Sequence, residues 1–248
     1  TTILSCLARS EAGPLGMGWD RRYARLVLDL LHTQARKFDD VQLFEIGYGA
    51  GNLLRDVRAA GFAAGGIEVS PAMQAQALAT LETDHDDRLL VGDFLTADLD
   101  SADCRPTLVY WNDVFEHIPP DEIRDYLDHI FRMLRPGGSL LTITPNWHIR
   151  PSDVTDAHRP PRSEAEGFHL KEYTLREVTS LLRDAGFASV TTPLYVGLRR
   201  IYLCGGGAAG VKRAWEPALE RLPFRVARFL CRRAALSMTI ATKSDDDT

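Results

Sequence analysis

The chain has 248 residues, 45% of them hydrophobic and 25% charged, enough for one large α/β domain or one domain with an elaborated lid. A formal net charge of -5 gives no reason to expect a nucleic-acid partner. The four cysteines (Cys6, Cys104, Cys204 and Cys231) lie far apart, no apolar run reaches the roughly 20 residues that span a bilayer, and the N-terminus lacks the basic-then-apolar order of a secretory signal. A cytoplasmic protein with reduced thiols and no transmembrane segment is therefore expected.

From Trp19 to Gln34 the apolar residues Tyr23, Leu26, Val27, Leu30 and Leu31 follow a helical spacing. Val41 to Ile46 is a short apolar run ending in glycines and reads as a buried strand. Asn52 to Ala60 reads as a helix closed by Gly61. Ala64 to Val69 is a second strand, after which Ser70-Pro71 supplies a cap and a proline at the first helical position. Leu89 to Val91 and Thr107 to Trp111 read as the third and fourth strands. Asp121 to Leu134 is a helix stopped by Arg135-Pro136-Gly137-Gly138, and Ser139 to Thr144 is a fifth strand. Strands and helices alternating in this way call for a parallel sheet covered on both faces.

The rhythm then changes. Pro145 to Gly167 is polar, aperiodic and rich in proline (Pro145, Pro151, Pro160, Pro161), as a functional lid or a disordered loop would be. The pattern resumes with a helix from Thr174 to Ala185, capped by Thr174 and ended by Gly186, and a sixth strand from Ala188 to Val196. Gly205 to Gly207 breaks the chain, Trp215 to Ala235 reads as helical with a break at Pro223, and Leu236 to Thr242 as a final strand. One domain is expected, divided into a helical N-terminal cap (1–38), a core (39–144), a lid (145–173) and a C-terminal half (174–248) with a helical insert at about 198–235.

The turn Glu45-Ile46-Gly47-Tyr48-Gly49-Ala50-Gly51 joins the first strand to a helix, where glycines let backbone approach a ligand closely. Its G-x-G-x-G spacing leaves Asn52 where a dinucleotide fingerprint has its third glycine. By itself the turn does not separate a cofactor site from a tight structural turn. Its neighbours add weight: Glu45 faces the position of a ligand ammonium, Glu68 ends the second strand where an acid accepts ribose hydroxyls, and Asp93-Phe94 follows the third strand with an acceptor beside a stacking ring.

In these segments the sequence resembles a class I S-adenosylmethionine-dependent methyltransferase, and is most similar to the branch that includes ubiquinone-biosynthesis O-methyltransferases and many small-molecule methyltransferases. The resemblance rests on FEIGYGAGNLL, GIEVSP, VGDF, YWNDVFEHIPP, LRPGGSLLTITPN and GFHLKEYTLREVTSLLRDAGF, and runs from about Val41 to Phe187. It implies a doubly wound, Rossmann-like sheet of seven strands, mostly parallel with an antiparallel last strand. It also implies S-adenosylmethionine as cofactor, leaving as S-adenosylhomocysteine, and a small-molecule acceptor, with O-methylation in biosynthetic or secondary metabolism the expected reaction. Glu45, Gly47 and Gly49 would line the methionine end, and Gly51 would permit close helix packing. Glu68, with Val69 beside it, would hold the ribose, Asp93 and Phe94 the adenine, and Asn112 and Asp113 would lie near the sulfonium. Tyr48, bulky between two glycines, either closes over the cofactor or points at the N-terminal helix.

The candidate catalytic residues are His169, His117 and Asp113, with His169 the preferred base and Gly167 a hinge for its segment. His117 is equally suited to bracing the turn, and His169 to tying the lid to Glu172 or Tyr173. His148, His158 and His169 with Asp153 and Asp156 match no recognised ligand spacing, so no metal is expected. Met17, Trp19 and Tyr23, the lid and the basic insert could each shape the acceptor pocket. The insert reads as a helix packed on its own domain with a solvated basic face in preference to one that meets an anionic substrate or a membrane surface. Two readings compete with the enzyme: a nicotinamide-dependent oxidoreductase and a cofactor-binding regulator without catalysis.

Overall fold

The computed structural model describes residues 21–97, 99, 105–194 and 206–246. Seven strands form one sheet in the order β3-β2-β1-β4-β5-β7-β6. They are β1 (Gln42–Ile46), β2 (Ala63–Glu68), β3 (Leu89–Val91), β4 (Leu108–Asn112), β5 (Ser139–Ile143), β6 (Ser189–Thr191) and β7 (Met238–Thr242). Adjacent strands from β3 to β5 are parallel, whereas β7 runs antiparallel to both β5 and β6. This is the doubly wound, mostly parallel sheet with an antiparallel last strand that the resemblance implied.

The parallel strands are apolar on both sides because both faces are covered. On one face Leu43, Leu108, Tyr110 and Leu141 pack with α1 (Arg21–Gln34), α2 (Asn52–Ala59) and α3 (Pro71–Thr80). On the other, Phe44, Val109, Trp111 and Leu140 pack with α4 (Ile123–Met133) and α5 (Leu175–Asp184). The caps lie where the sequence placed them. Ser70 Oγ accepts from Met73 N with Pro71 at the first turn, and Thr174 and Glu177 form a reciprocal capping box. Two lysines close other ends from a distance: Lys243 Nζ donates to Phe131 O and Leu134 O at the end of α4, and Lys212 Nζ to Pro193 O.

Three readings need correction. The Gly205–Gly207 break is instead, from Gly206, the start of α6 (Gly206–Trp215), where first-turn N–H groups have no intrahelical partner to lose. The helical stretch from Trp215 does break at Pro223, but its first half is a 3₁₀ helix, Glu216–Arg221, ahead of α7 (Phe224–Arg233). The described part of the sixth strand is only Ser189–Thr191. Met17 and Trp19 lie outside the described residues, as does the chain from 195 to 205.

The 145–173 segment is irregular but tied down. It contains 3₁₀ turns at Trp147–Ile149 and Val154–Ala157, and Trp147 N donates to Tyr173 O. Glu216 anchors its start: the buried carboxylate accepts from Asn146 Nδ2 at 2.8 Å, Leu175 N at 2.6 Å and Arg176 N at 3.2 Å, so it also caps α5. Glu220 accepts from Arg150 and His148 on the same segment. On α7, Ala227 and Cys231 are buried while Arg225, Arg228 and Arg232 are exposed, as a helix packed on its own domain requires. Phe229 is 60% exposed.

Candidate active site

The C-terminal ends of the parallel strands share one edge, and the chain order reverses between β1 and β4, which opens a crevice there. The glycine turn after β1 fills one side of it. Gly47, Gly49 and Gly51 have φ of 75°, 51° and 74°, in the left-handed region. A Cβ on Gly47 would stand 2.9 Å from Val114 Cγ2, and one on Gly51 3.0 Å from Ala77 Cβ. The turn is thus pressed against the residues that follow β4 on one side and against α3 on the other.

Glu68 closes the turn from β2: its Oε2 accepts from Gly49 N at 3.0 Å and its Oε1 from Ser70 N at 3.1 Å. Glu45, beneath the turn, is buried, and its Oε2 has no hydrogen-bond partner. Burial, with a smaller contribution from the negative charge of Glu68, pushes its carboxyl up to about 8. A buried carboxyl oxygen without a donor is costly, and a ligand ammonium would supply both the donor and the charge. Val69, next to Glu68, is 43% exposed at the ligand edge, where an apolar surface suits the flat face of a base.

Two candidates on this side use their rings elsewhere. Tyr48 is buried in the face that α1 covers, and its hydroxyl donates to Leu90 O at 3.1 Å, which leaves its backbone at the turn. The ring thus reaches towards β3, a contact that neither expectation, closing over the cofactor or pointing at the N-terminal helix, describes. Phe94 is buried, stacked on Tyr126 with centroids 5.7 Å apart and tilted against His129 at 4.8 Å. Asp93 is exposed at the edge, with Oδ1 accepting from Leu95 N at 2.8 Å.

Beyond Val114 lies a polar cluster. Asp113 is exposed and holds φ of 54° at the end of β4, a strained conformation of the kind that gathers at functional sites. Asn112 Nδ2 donates to Asp113 Oδ2 at 3.4 Å. The 3₁₀ turn Phe115–His117 follows. Glu116 is fully buried, its Oε2 accepting from Thr144 Oγ1 at 3.0 Å, and burial together with the adjoining Asp113 carboxyl pushes it well above the usual carboxylate range. Its carbonyl accepts from Leu170 N, and His117 Nδ1 lies 2.9 Å from Phe168 O. Burial also holds the His117 imidazolium below its ordinary value. His169 reaches Glu172 Oε1 through Nδ1 at 2.7 Å, the tie weighed from the sequence, and its ring meets that of His117 edge to face at 5.1 Å.

The structure therefore brings Asp113, His117 and His169 together, with Glu116 and Glu172 added. Glu116 was visible inside DVFEHIPP, but the spacing gives no sign that it turns inward. His148 and His158 do not join: the first is held by Glu220 and the second is exposed. Gly167 is no open hinge, since a Cβ there would meet Asp153 Oδ2 at 2.4 Å. That carboxylate accepts from Thr155 N and Phe168 N, and these hydrogen bonds bring it down to about 2.

Residues 19–192 match the family model described as a methyltransferase domain, which is most of the chain. With its sheet order, glycine turn and strand-end acids, the chain belongs to the class I S-adenosylmethionine-dependent methyltransferase family. No curated protein matches it in sequence. Among solved structures it is similar to the methyltransferase in a complex with the Trm112 methyltransferase activator from Haloferax volcanii. There the identity is 21% and the TM-score 0.54, with 90% of this chain and 95% of that one covered. It is similar also to an S-adenosylmethionine-dependent methyltransferase from Methanosarcina mazei (15% identity, TM-score 0.52, 84% and 94% covered). A third is phosphoethanolamine N-methyltransferase 2 from Haemonchus contortus, in complex with phosphomonomethylethanolamine and S-adenosylhomocysteine (18% identity, TM-score 0.51), of which the match covers 92% of this chain and 53% of that one. These likenesses establish the fold. The family match removes the dinucleotide oxidoreductase weighed from the glycine turn.

Proposed function

We propose that this chain methylates a hydroxyl oxygen of a small-molecule acceptor in biosynthetic or secondary metabolism. The carrying observation is the junction of two half-sites at one sheet edge. The glycine turn with Glu45 and Glu68 adjoins, through Val114, the Asp113–Glu116–His117–His169 cluster. S-adenosylmethionine supplies an activated methyl group on a sulfonium. Glu45, without a partner for one oxygen, would hold its ammonium, Glu68 its ribose hydroxyls, and Val69 and Asp93 its base.

What the protein's own residues then supply is position and a place for the acceptor's proton. Glu172 orients His169 through Nδ1, which turns Nε2 towards Glu116. A hydroxyl held over the cluster would find there the acceptor lone pairs that its proton needs. The test is a panel of hydroxylated, amino and carboxylated small molecules incubated with labelled cofactor. Label in a hydroxylated product supports the reading. Label appearing only in amines overturns oxygen as the acceptor, and cofactor binding with no transfer across the panel favours the regulator instead.

A further inference from the structure

We propose that Glu116, His117 and His169 form a binding site for a first-row divalent transition-metal cation on the acceptor side of the crevice. One ligand atom from each of the three lies within 4.8 Å of the other two. The orientation of the rings matters as much as the spacing. His117 Nδ1 faces a backbone carbonyl, Phe168 O, at 2.9 Å, and His169 Nδ1 faces a carboxylate oxygen, Glu172 Oε1, at 2.7 Å. Both partners accept, so both Nδ1 atoms carry hydrogen, and Nε2 is the nitrogen that each ring has left for a ligand bond. Metal-binding histidines are anchored in this way, through the second nitrogen to a carbonyl or carboxylate.

The third atom is an oxygen of the buried Glu116 carboxyl. Glu116 is fully buried, Thr144 serves its Oε2, and its Oε1 has no hydrogen-bond partner. His169 Nε2 lies 3.9 Å from it, too far for a proton between them to make a hydrogen bond. One ring nitrogen of each histidine and a Glu116 oxygen thus converge. A cation bonded at about 2.0–2.2 Å resolves the arrangement after small side-chain rotations. Two imidazoles and a carboxylate suit zinc, iron, cobalt or manganese better than magnesium or calcium, which prefer all-oxygen sets. Three ligands also leave coordination positions open.

The site's use, unlike its existence, rests on the proposed hydroxyl acceptor. Bound to the cation, a hydroxyl loses its proton more readily, and that proton passes to solvent. The oxygen–carbon bond forms as the sulfonium carbon–sulfur bond breaks, and the thioether leaves with the electron pair.

The test uses the full chain, freed of metal with a chelator and titrated with Co²⁺ and Zn²⁺ in the absence of cofactor and acceptor. We expect one equivalent of Co²⁺ per chain with a visible absorption band, and affinity reduced more than roughly 100-fold in His169→Ala and about 10-fold in Glu172→Gln. The NMR spectrum of the wild-type cobalt form should show two exchangeable, strongly shifted resonances, one for each Nδ1–H. Because that spectrum needs no variant, it decides the matter even if His169→Ala does not fold. No stoichiometric uptake, binding that persists in folded His169→Ala, or the absence of the two resonances overturns the site. S-adenosylhomocysteine binding, measured separately, would fail only with the methyltransferase reading itself.

Discussion

Replacing Glu45 with glutamine separates the cost of a buried carboxyl from its use. Holding this group at about 8 instead of 4.5 means that the folded, cofactor-free protein disfavours its charged form by on the order of 5 kcal/mol. The raised value fixes the sign. Between 4.5 and about 8 the folded state binds more protons than the unfolded chain, so this group erodes stability as pH rises through that window, with a slope of up to ~1.4 kcal/mol per pH unit. Above the window the loss levels off. Glu45→Gln should therefore be the more stable protein near pH 8, with its advantage vanishing near pH 5. Binding should move the other way. A ligand ammonium recruits the carboxylate, so wild-type affinity for S-adenosylhomocysteine should rise by up to about tenfold per pH unit below pH 8, and proton release should show in calorimetry in buffers of different ionisation enthalpy. In Glu45→Gln the affinity should be weaker by roughly 10–100-fold, and this group's contribution to the pH slope should vanish. Denaturant melts across the window read the first effect and calorimetry the second. An unchanged stability slope in the variant would refute the reasoning about burial; an unchanged affinity would refute the role of Glu45.

Other expectations follow from the same geometry. Gly47→Ala places a methyl 2.9 Å from Val114 Cγ2 at φ of 75°, so it should cost about 1–3 kcal/mol of stability and weaken cofactor binding, read by melting and titration. Glu216→Ala removes a buried carboxylate that accepts from three donors, and should lower stability by about 3 kcal/mol, or on the order of 10 °C in Tm. A Tm within a degree or so of wild type would show that the carboxylate does not hold the 145–173 segment to α5. His169→Ala should slow turnover by at least about tenfold while changing cofactor affinity less, and unchanged turnover would remove it from the mechanism.

The elements closest to local chemistry were legible in the sequence. Ser70-Pro71, Thr174 with Glu177, and the glycines after β1 dictate their turns and caps whatever lies around them. Side-chain direction was less so. Nothing in the GYGAG spacing says that Tyr48 turns into the core to reach Leu90 O, nor in VGDF that Phe94 stacks on Tyr126 of a helix more than thirty residues on. The acceptor side was least legible because it is assembled over long separations. Glu116 meets His169, and Glu216 meets Asn146 and α5, through contacts that no local period records. Glutamates within a basic, amphipathic stretch read as solvated, whereas Glu216 is buried because the N–H groups at the start of α5 need an acceptor.

The central claim is that the glycine turn with Glu45 and Glu68 holds S-adenosylmethionine. Calorimetric titration of the purified chain with S-adenosylhomocysteine, alongside NAD, tests it most directly. One equivalent of S-adenosylhomocysteine should bind, NAD should not, and Glu68→Ala should weaken the binding. No binding of S-adenosylhomocysteine or S-adenosylmethionine by the folded chain, with clear binding of NAD, would contradict it.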